Sequence, residues 1–353
     1  MILDRYIGRS ILVNSILALF ALVAVFSFFS LVDQLDDTGR GNYEVADAVQ
    51  YVLLTIPRLS YELFPIAIVI GSMATLGMLA NTSELAVIRT SGMSQVQLAY
   101  SLIKTGLIFV VISILIGEIV APVTEQAAQQ KRSIALTKQI AMKTKHGFWS
   151  RDGDNYINIR KILPGDRVEE IYIYEFDKEH HLRSSIYAKH AEYNESNWVL
   201  YDISKTNITE EQVTNNNYDT AKWEALLNPE VINMVTIKPR YLSILGLISY
   251  IDYLKSNSQS SKQYIQAFWS KLISPFSIIA MLLLSICVVR CEARPMGLGQ
   301  RVFVGALIGI TFNLLNQVSG HLGLIYGVPA FFSACLPTIL VFSYIYHRLS
   351  NSY

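Results

Sequence analysis

Six stretches of this chain are dominated by apolar residues and carry few charges: Ile11–Val32, Tyr51–Ala80, Leu102–Val123, Leu272–Val289, Val302–Gly320 and Val328–Tyr346. A hydrocarbon core about 30 Å thick is crossed by about 20 helical residues, and each run reaches or nearly reaches that length. Backbone inside a bilayer must satisfy its own hydrogen bonds, so the runs predict membrane-spanning helices. The first is uncharged and too long for the core of a signal peptide. No small-residue cleavage pattern follows it, so a retained anchor is expected. The second contains Pro57, Pro65, Gly71 and Gly77, which predicts a kinked or broken helix.

The remaining charge is concentrated in one place. Roughly two thirds of the Asp, Glu, Lys and Arg residues fall between Thr124 and Lys271, the partition expected of a polar domain set between membrane blocks. The expected organisation is residues 1–135 with spans one to three, 136–262 as a polar domain, and 263–353 with spans four to six. A formal charge of +1 gives no bulk attraction to nucleic acid. Cys287, Cys291 and Cys335 all lie in or beside apolar runs, so the polar domain has no disulfide framework. Cys287 and Cys291 have no His or carboxylate cluster around them and read as small membrane-helix residues rather than metal ligands.

Orientation follows from Lys and Arg in short loops. Arg5 and Arg9 precede the first span, Arg89 and Lys104 follow the second, Arg290, Arg294 and Arg301 surround the loop after the fourth, and Arg348 follows the sixth. These ends share one side, expected to be the cytoplasm, with both termini. The first external loop is acidic instead, with Asp33, Asp36, Asp37, Glu44 and Asp47 against Arg40. By the same parity the polar domain lies outside.

Between Gly147 and Lys238 the pattern becomes short alternating runs broken by Gly, Pro, Asn and Asp. In EEIYIYEFDKEHHLRSSIYAKHAEY, Ile171 and Ile173 fall on one face and Tyr172, Tyr174 and Phe176 on the other. DKEHH reads as the turn and Ser185 to Tyr193 as the return strand. NYINIRKI, NWVLYDI and NMVTIKP repeat the theme, which predicts an antiparallel sandwich or open jelly roll. His180 and His181 are adjacent and point to opposite strand faces, so a shared metal is not expected.

One polar segment sits where two spans should be joined most cheaply. NTSELAVIRTSGMSQVQ starts with Asn81, a good helix cap, and Glu84 stands three residues on, the spacing of a capping box. Gly92 supplies a left-handed stop, so a short helix is expected from about Thr82 to Ser91. Leu85 and Ile88 form a narrow apolar stripe flanked by Glu84 and Arg89. So short a helix is not stable alone in water and must pack on lipid headgroups or on another protein.

These residues resemble the LptF/LptG permeases of lipopolysaccharide export, and the LptG branch more closely. The resemblance rests on LDRYIGR and LVDQL around the first span, GMLANTSELAVIRTSGM after the second and GEIVAPVTEQ at the outer end of the third. YIDYLKSNSQSSKQY before the fourth and RPMGLGQRV between the fourth and fifth complete it. It implies an α-helical integral membrane protein with six transmembrane helices (3+3) and an external, periplasmic all-β jelly-roll-like domain between helices 3 and 4. It further implies that residues 81–94 form a coupling helix seated in a groove of a separate cytoplasmic ATPase dimer of the LptB type. Glu84, Leu85, Ile88, Arg89 and Gly92 would make that contact. The chain has no G-x-x-x-x-G-K-[ST] phosphate loop, so ATP and Mg are expected on the partner ATPase and no cofactor or metal on this chain. The other implied partners are an LptF-type permease, a membrane-anchored LptC-type accessory and lipopolysaccharide.

The resemblance also places an apolar acyl cavity between the first and fifth spans of the two permeases. Phe20, Val25, Phe26, Phe29, Phe303, Leu307, Phe312 and Leu315 are the candidates here, though the same residues suit lipid-facing or packing positions. Arg58, Lys131 and Arg132, near the outer ends of the second and third spans, are the candidates for phosphate head groups. Arg58 stands four residues before Glu62, so mutual neutralisation is the competing reading. Some family members carry lysines after VDQL where this chain has Asp36 and Asp37, which raises a bridging cation or a contact from the partner permease as replacements. Glu118 and Glu125 read as polar anchors at a helix end rather than a catalytic pair, since no nucleophile or His accompanies them. Two functions of other classes compete with the transporter: an integral membrane enzyme acting on envelope lipid, and an envelope-stress adaptor with a periplasmic sensing domain.

Overall fold

The computed structural model describes residues 2–84, 87, 90, 95–137, 142–152, 155–163, 167–177, 179, 181–194, 197–209, 212–223, 238–257, 259–290 and 297–350. Six helices in it are long and apolar enough to cross a membrane, three before the β domain and three after. The first is α1 (Ile2–Leu35) and the second α2 (Val45–Asn81). The third begins as α3 (Gln95–Leu115), passes through a π-helical turn at Ile116–Val120, and continues as α4 (Ala121–Thr137). Pro122 explains that turn: proline has no N–H and its ring crowds the carbonyl four residues back, which an extra residue in the turn accommodates.

α2 is the axis of the membrane part. It stays continuous through Pro57 and Pro65 and buries most of its second half, from Leu63 to Leu79. At Gly71 an added Cβ would overlap the backbone of Ser15, so glycine is what lets α1 lie directly on α2. The last two spans, α7 (Leu298–Tyr326) and α8 (Ala330–Ser350), are separated by Gly327 at φ +70°, a left-handed helix stop. The core joins α1, α2, α3, α7 and α8 with α6 (Lys262–Arg290), through residues such as Ile7, Ile68, Met73, Phe109, Met281 and Ile345.

Between the third and fourth spans, the described residues form one six-stranded antiparallel sheet whose strands pair in chain order: β1 (Met142–Asp152), β2 (Asn155–Leu163), β3 (Arg167–Phe176), β4 (Leu182–Asn194), β5 (Asn197–Ile208) and β6 (Val213–Trp223). Alternation in β3 places Ile171 and Ile173 inside, as expected, against Ile157 and Ile159 of β2 and Ala188 of β4. The inward set then slips by one residue. Glu170 (φ +54°) and Asp202 (φ +51°) are left-handed, and beyond them Val168, Ala191, Leu200 and Trp198 are the buried residues. The change falls along one row across β3, β4 and β5, and the apolar residues on both sides of it share one core. Most of NMVTIKP lies outside the described residues.

The final part of the stretch expected as β domain is helical. After a single 3-10 turn at Pro239–Tyr241, α5 (Ile244–Ser256) is capped by the Ser243 hydroxyl, which accepts from the Gly246 amide. Leu247 and Ile251 pack with Ala267 of α6, while Tyr253 reaches the β core. α5 therefore brackets the sheet to the membrane helices.

Candidate functional site

At one end of the bundle, packing carries α2 farther than the capping pattern suggests. Leu76 and Leu79 are buried, and extending an existing helix costs less than nucleating another, so Asn81 is the last residue of α2 and not the cap of a new helix. The expectation that Asn81 caps a new helix is corrected accordingly. Ser83 takes a left-handed conformation (φ +60°), and its carbonyl accepts from the Val87 amide at 3.1 Å, which restarts a helical turn. Glu84 opens that turn. Its Oε2 accepts from the Tyr6 phenol and its Oε1 from the Thr82 hydroxyl, each at 3.1 Å. Leu85, Ile88, Arg89 and Gly92 lie outside the described residues.

Asn81 faces the opposite neighbour. Its Oδ1 accepts from Nη2 of Arg301, on the first turn of α7, at 3.1 Å. Arg301 is only 2% exposed. A cation in the first turn of a helix opposes the helix dipole. That mismatch in RPMGLGQRV was the available sign that Arg301 does more than orient the loop.

The opposite end of the bundle holds a buried charge cluster. Arg58 does not stand open as a phosphate contact. Its Nε lies 3.0 Å from Oε2 of Glu125, which is 1% exposed, and its Nη1 lies 3.6 Å from Glu62. Nη1 also donates to the Tyr241 phenol at 3.0 Å. Burial first, then the negative charge of Glu62, raise the Tyr241 pKa and keep that phenol neutral. Gln129 closes the cluster by donating to Glu125 at 2.8 Å and to the Tyr51 hydroxyl at 3.1 Å. In this chain alone Arg58 is held by its counter-charges, the mutual neutralisation with Glu62 extended to Glu125.

Glu118 is also an anchor, with partners distant in sequence. From the π-helical turn it accepts from Lys271 of α6 at 2.7 Å and from the amide of Ile244, at the start of α5, at 2.6 Å. Sequence reading passed over Lys271.

Lys131 is exposed, whereas Arg132 is engaged. Its Nε donates to Gln34 at 2.7 Å and its Nη2 lies 2.6 Å from Asp37, which also pairs with Arg40 at 2.7 Å. Asp37 thus neutralises a neighbouring arginine of this same chain. On the apolar side, Phe20 (74% exposed), Val25, Phe26 and Phe29 of α1 and Phe303 (68%), Leu307 and Leu315 of α7 are open at the surface. Phe312 is 4% exposed and packs in the helical core of this chain, unlike the other seven.

Comparison with known proteins agrees with this architecture. The lipopolysaccharide export system permease LptF/LptG family matches residues 5–349. The lipopolysaccharide export system permease protein LptG of Haemophilus influenzae is 33% identical over 351 residues, covering 99% of this chain and 98% of that protein. The protein of the same name from Escherichia coli K12 is 35% identical over 344 residues, covering 97% and 96%. The match runs through all six spans and the intervening sheet, and the chain belongs to the LptF/LptG permease family.

Proposed function

We propose that this chain is the LptG-type permease subunit of an ABC transporter that extracts lipopolysaccharide from the bacterial inner membrane. The lipid is passed to a periplasmic bridge, and ATP is hydrolysed on a partner ATPase. The observation that carries this reading is the element order, three spans, an all-β domain and three spans, over which family similarity extends nearly end to end. Both termini and the Glu84 turn lie in the cytoplasm and the sheet in the periplasm on this reading, which the arginine-rich short loops support.

The physical task explains the division of labour. Each buried methylene holds a lipid chain by about 0.8 kcal/mol, so one acyl chain of a dozen carbons is held by about 10 kcal/mol. Water cannot receive it. An apolar wall can, and the exposed faces of α1 and α7 supply one, completed by an LptF-type partner permease. Work enters at Glu84, whose carboxylate faces a basic residue of an LptB-type ATPase dimer. The sheet receives the lipid and hands it to the similar domain of an LptC-type accessory. Lys131 meets the phosphorylated head at the outer mouth.

The test is co-purification of the chain with its partner permease and ATPase, comparing wild type with Glu84→Ala and Glu84→Arg. Loss of the ATPase while the partner permease stays bound is the expected result. Retention of the ATPase by both variants would make the Glu84 turn a mere connector.

A further inference from the structure

We infer that Arg301 is the positioning residue through which the cytoplasmic turn moves α7, acting by its hold on Asn81. This deepens the transporter reading and rests on it.

Three observations converge on one spot. The Arg301 side chain is buried, and its Nη2 donates to the Asn81 side chain at 3.1 Å, joining residues 220 apart in sequence. Asn81 ends α2, and the left-handed Ser83 two residues later redirects the chain into the turn that carries Glu84. Gly77, one turn before Asn81, is a notch for the arginine: an added Cβ there would overlap Nη1 and Cδ of Arg301. The guanidinium therefore lies against the last turn of α2, where the aligned carbonyl dipoles of a helix end carry partial negative charge. Fixed there, it joins the hinge of the turn to the first turn of α7.

A displacement at that point does not dissipate along α7. Gly305 places its backbone against Ile70 and Gly309 against Ile66, so α7 follows α2 closely over two further turns. The same helix carries Phe303 and Leu307 on its open face. Lysine would keep the charge but lose the planar fork that reaches Asn81 while lying in the notch.

The experiment uses the full transporter in lipid nanodiscs and measures lipopolysaccharide released per ATP hydrolysed. Arg301→Met is expected to bind the ATPase and hydrolyse ATP, yet release about tenfold less lipid per ATP, the scale of one charge-assisted hydrogen bond. Asn81→Leu, which leaves the arginine in place, is expected to fall comparably, and the double variant no further than either single one. Arg301→Lys is expected to recover part of the loss. Wild-type lipid per ATP in both single variants would overturn the inference. So would loss of ATPase binding together with transport, which would make Arg301 a folding residue only. If Arg301→Met fails to fold, Asn81→Leu decides alone. A wild-type chain that neither binds the ATPase nor moves lipid would instead defeat the transporter reading itself.

Discussion

The phenol of Tyr6, near the start of α1, donates a 3.1 Å hydrogen bond to Glu84 across 78 residues of sequence. The carboxylate proposed to meet the ATPase is thus already held by its own chain, and by the helix whose far half exposes Phe20 and Phe29. Any basic partner must compete with or share that oxygen. Tyr6→Phe removes the competitor and leaves the ring, so the ATPase is expected to bind about two- to fivefold more tightly. Titrating labelled ATPase onto detergent-solubilised permease pair measures this. Weaker binding by Tyr6→Phe would mean that Tyr6 orients Glu84 for docking instead.

At the proposed outer mouth, Arg132 is occupied by Gln34 and Asp37, so a phosphate must displace a carboxylate to reach it. Asp37→Asn is expected to raise affinity for phosphorylated lipid several-fold and to steepen its salt dependence, because a partly exposed cation is freed. Arg132→Gln in the same background should return affinity to the wild-type level or below. Binding of lipopolysaccharide against ionic strength distinguishes these outcomes. No gain in Asp37→Asn would remove Arg132 from the head-group site and leave Lys131.

The membrane part of this fold was legible because about 20 apolar residues in a row have few structural solutions. β2 and β3 were legible because Ile157 and Ile159, and Ile171 and Ile173, alternate with more polar neighbours such as Asn158, Arg160 and Tyr172. β6 was not: Val213–Trp223 is exposed almost throughout and is held to β5 by backbone pairing, which leaves no apolar period in VTNNNYDTAKW. The charged site was legible only in its inventory. Lys271 meets Glu118 across 153 residues and Arg301 meets Asn81 across 220, distances at which local spacing carries no signal. Arg58 was paired in sequence with its neighbour Glu62, whereas Glu125, delivered by α4, lies closer.

That cluster makes a stability prediction. Glu125 is almost fully buried, so Glu125→Ala leaves Arg58 with the more distant carboxylate of Glu62 and the neutral Tyr241 phenol. Breaking a buried pair from one side typically costs about 3 to 5 kcal/mol, whereas replacing both partners by apolar groups is often close to neutral. Glu125→Ala should therefore lower the unfolding midpoint of the detergent-solubilised chain markedly, and Arg58→Met with Glu125→Leu should restore most of it. The fraction of protein remaining monodisperse after heating reports both. A single variant as stable as the wild type would show that Glu62 and Tyr241 satisfy Arg58 unaided.

The sheet carries its own acid sensitivity at the β3–β4 hairpin. Burial pushes the Glu175 carboxyl upward, but hydrogen bonds from Ser184 and Lys205, with the charge of Lys205 and Arg183, outweigh it and hold the pKa below the ordinary glutamate range. Asp177 is likewise lowered, chiefly by the backbone amides of His181 and Glu179, which its carboxylate accepts at 2.8 and 2.9 Å. A carboxyl with a depressed folded-state pKa binds its proton more readily when unfolded. The stability it adds is complete above the unfolded value, near 4, and is lost as pH falls through the lower folded value. The hairpin is thus expected to be fully protected at pH 6 and to open progressively below about pH 4. Hydrogen exchange at β3 and β4 amides, corrected for intrinsic rates, follows this directly. Glu175→Gln with Asp177→Asn removes both titrating groups while keeping oxygen acceptors in place, and should flatten the acid limb at the cost of lower protection at pH 6. An unchanged acid limb in the double variant would assign the sensitivity to other carboxylates of the sheet, such as Glu170 with Lys161.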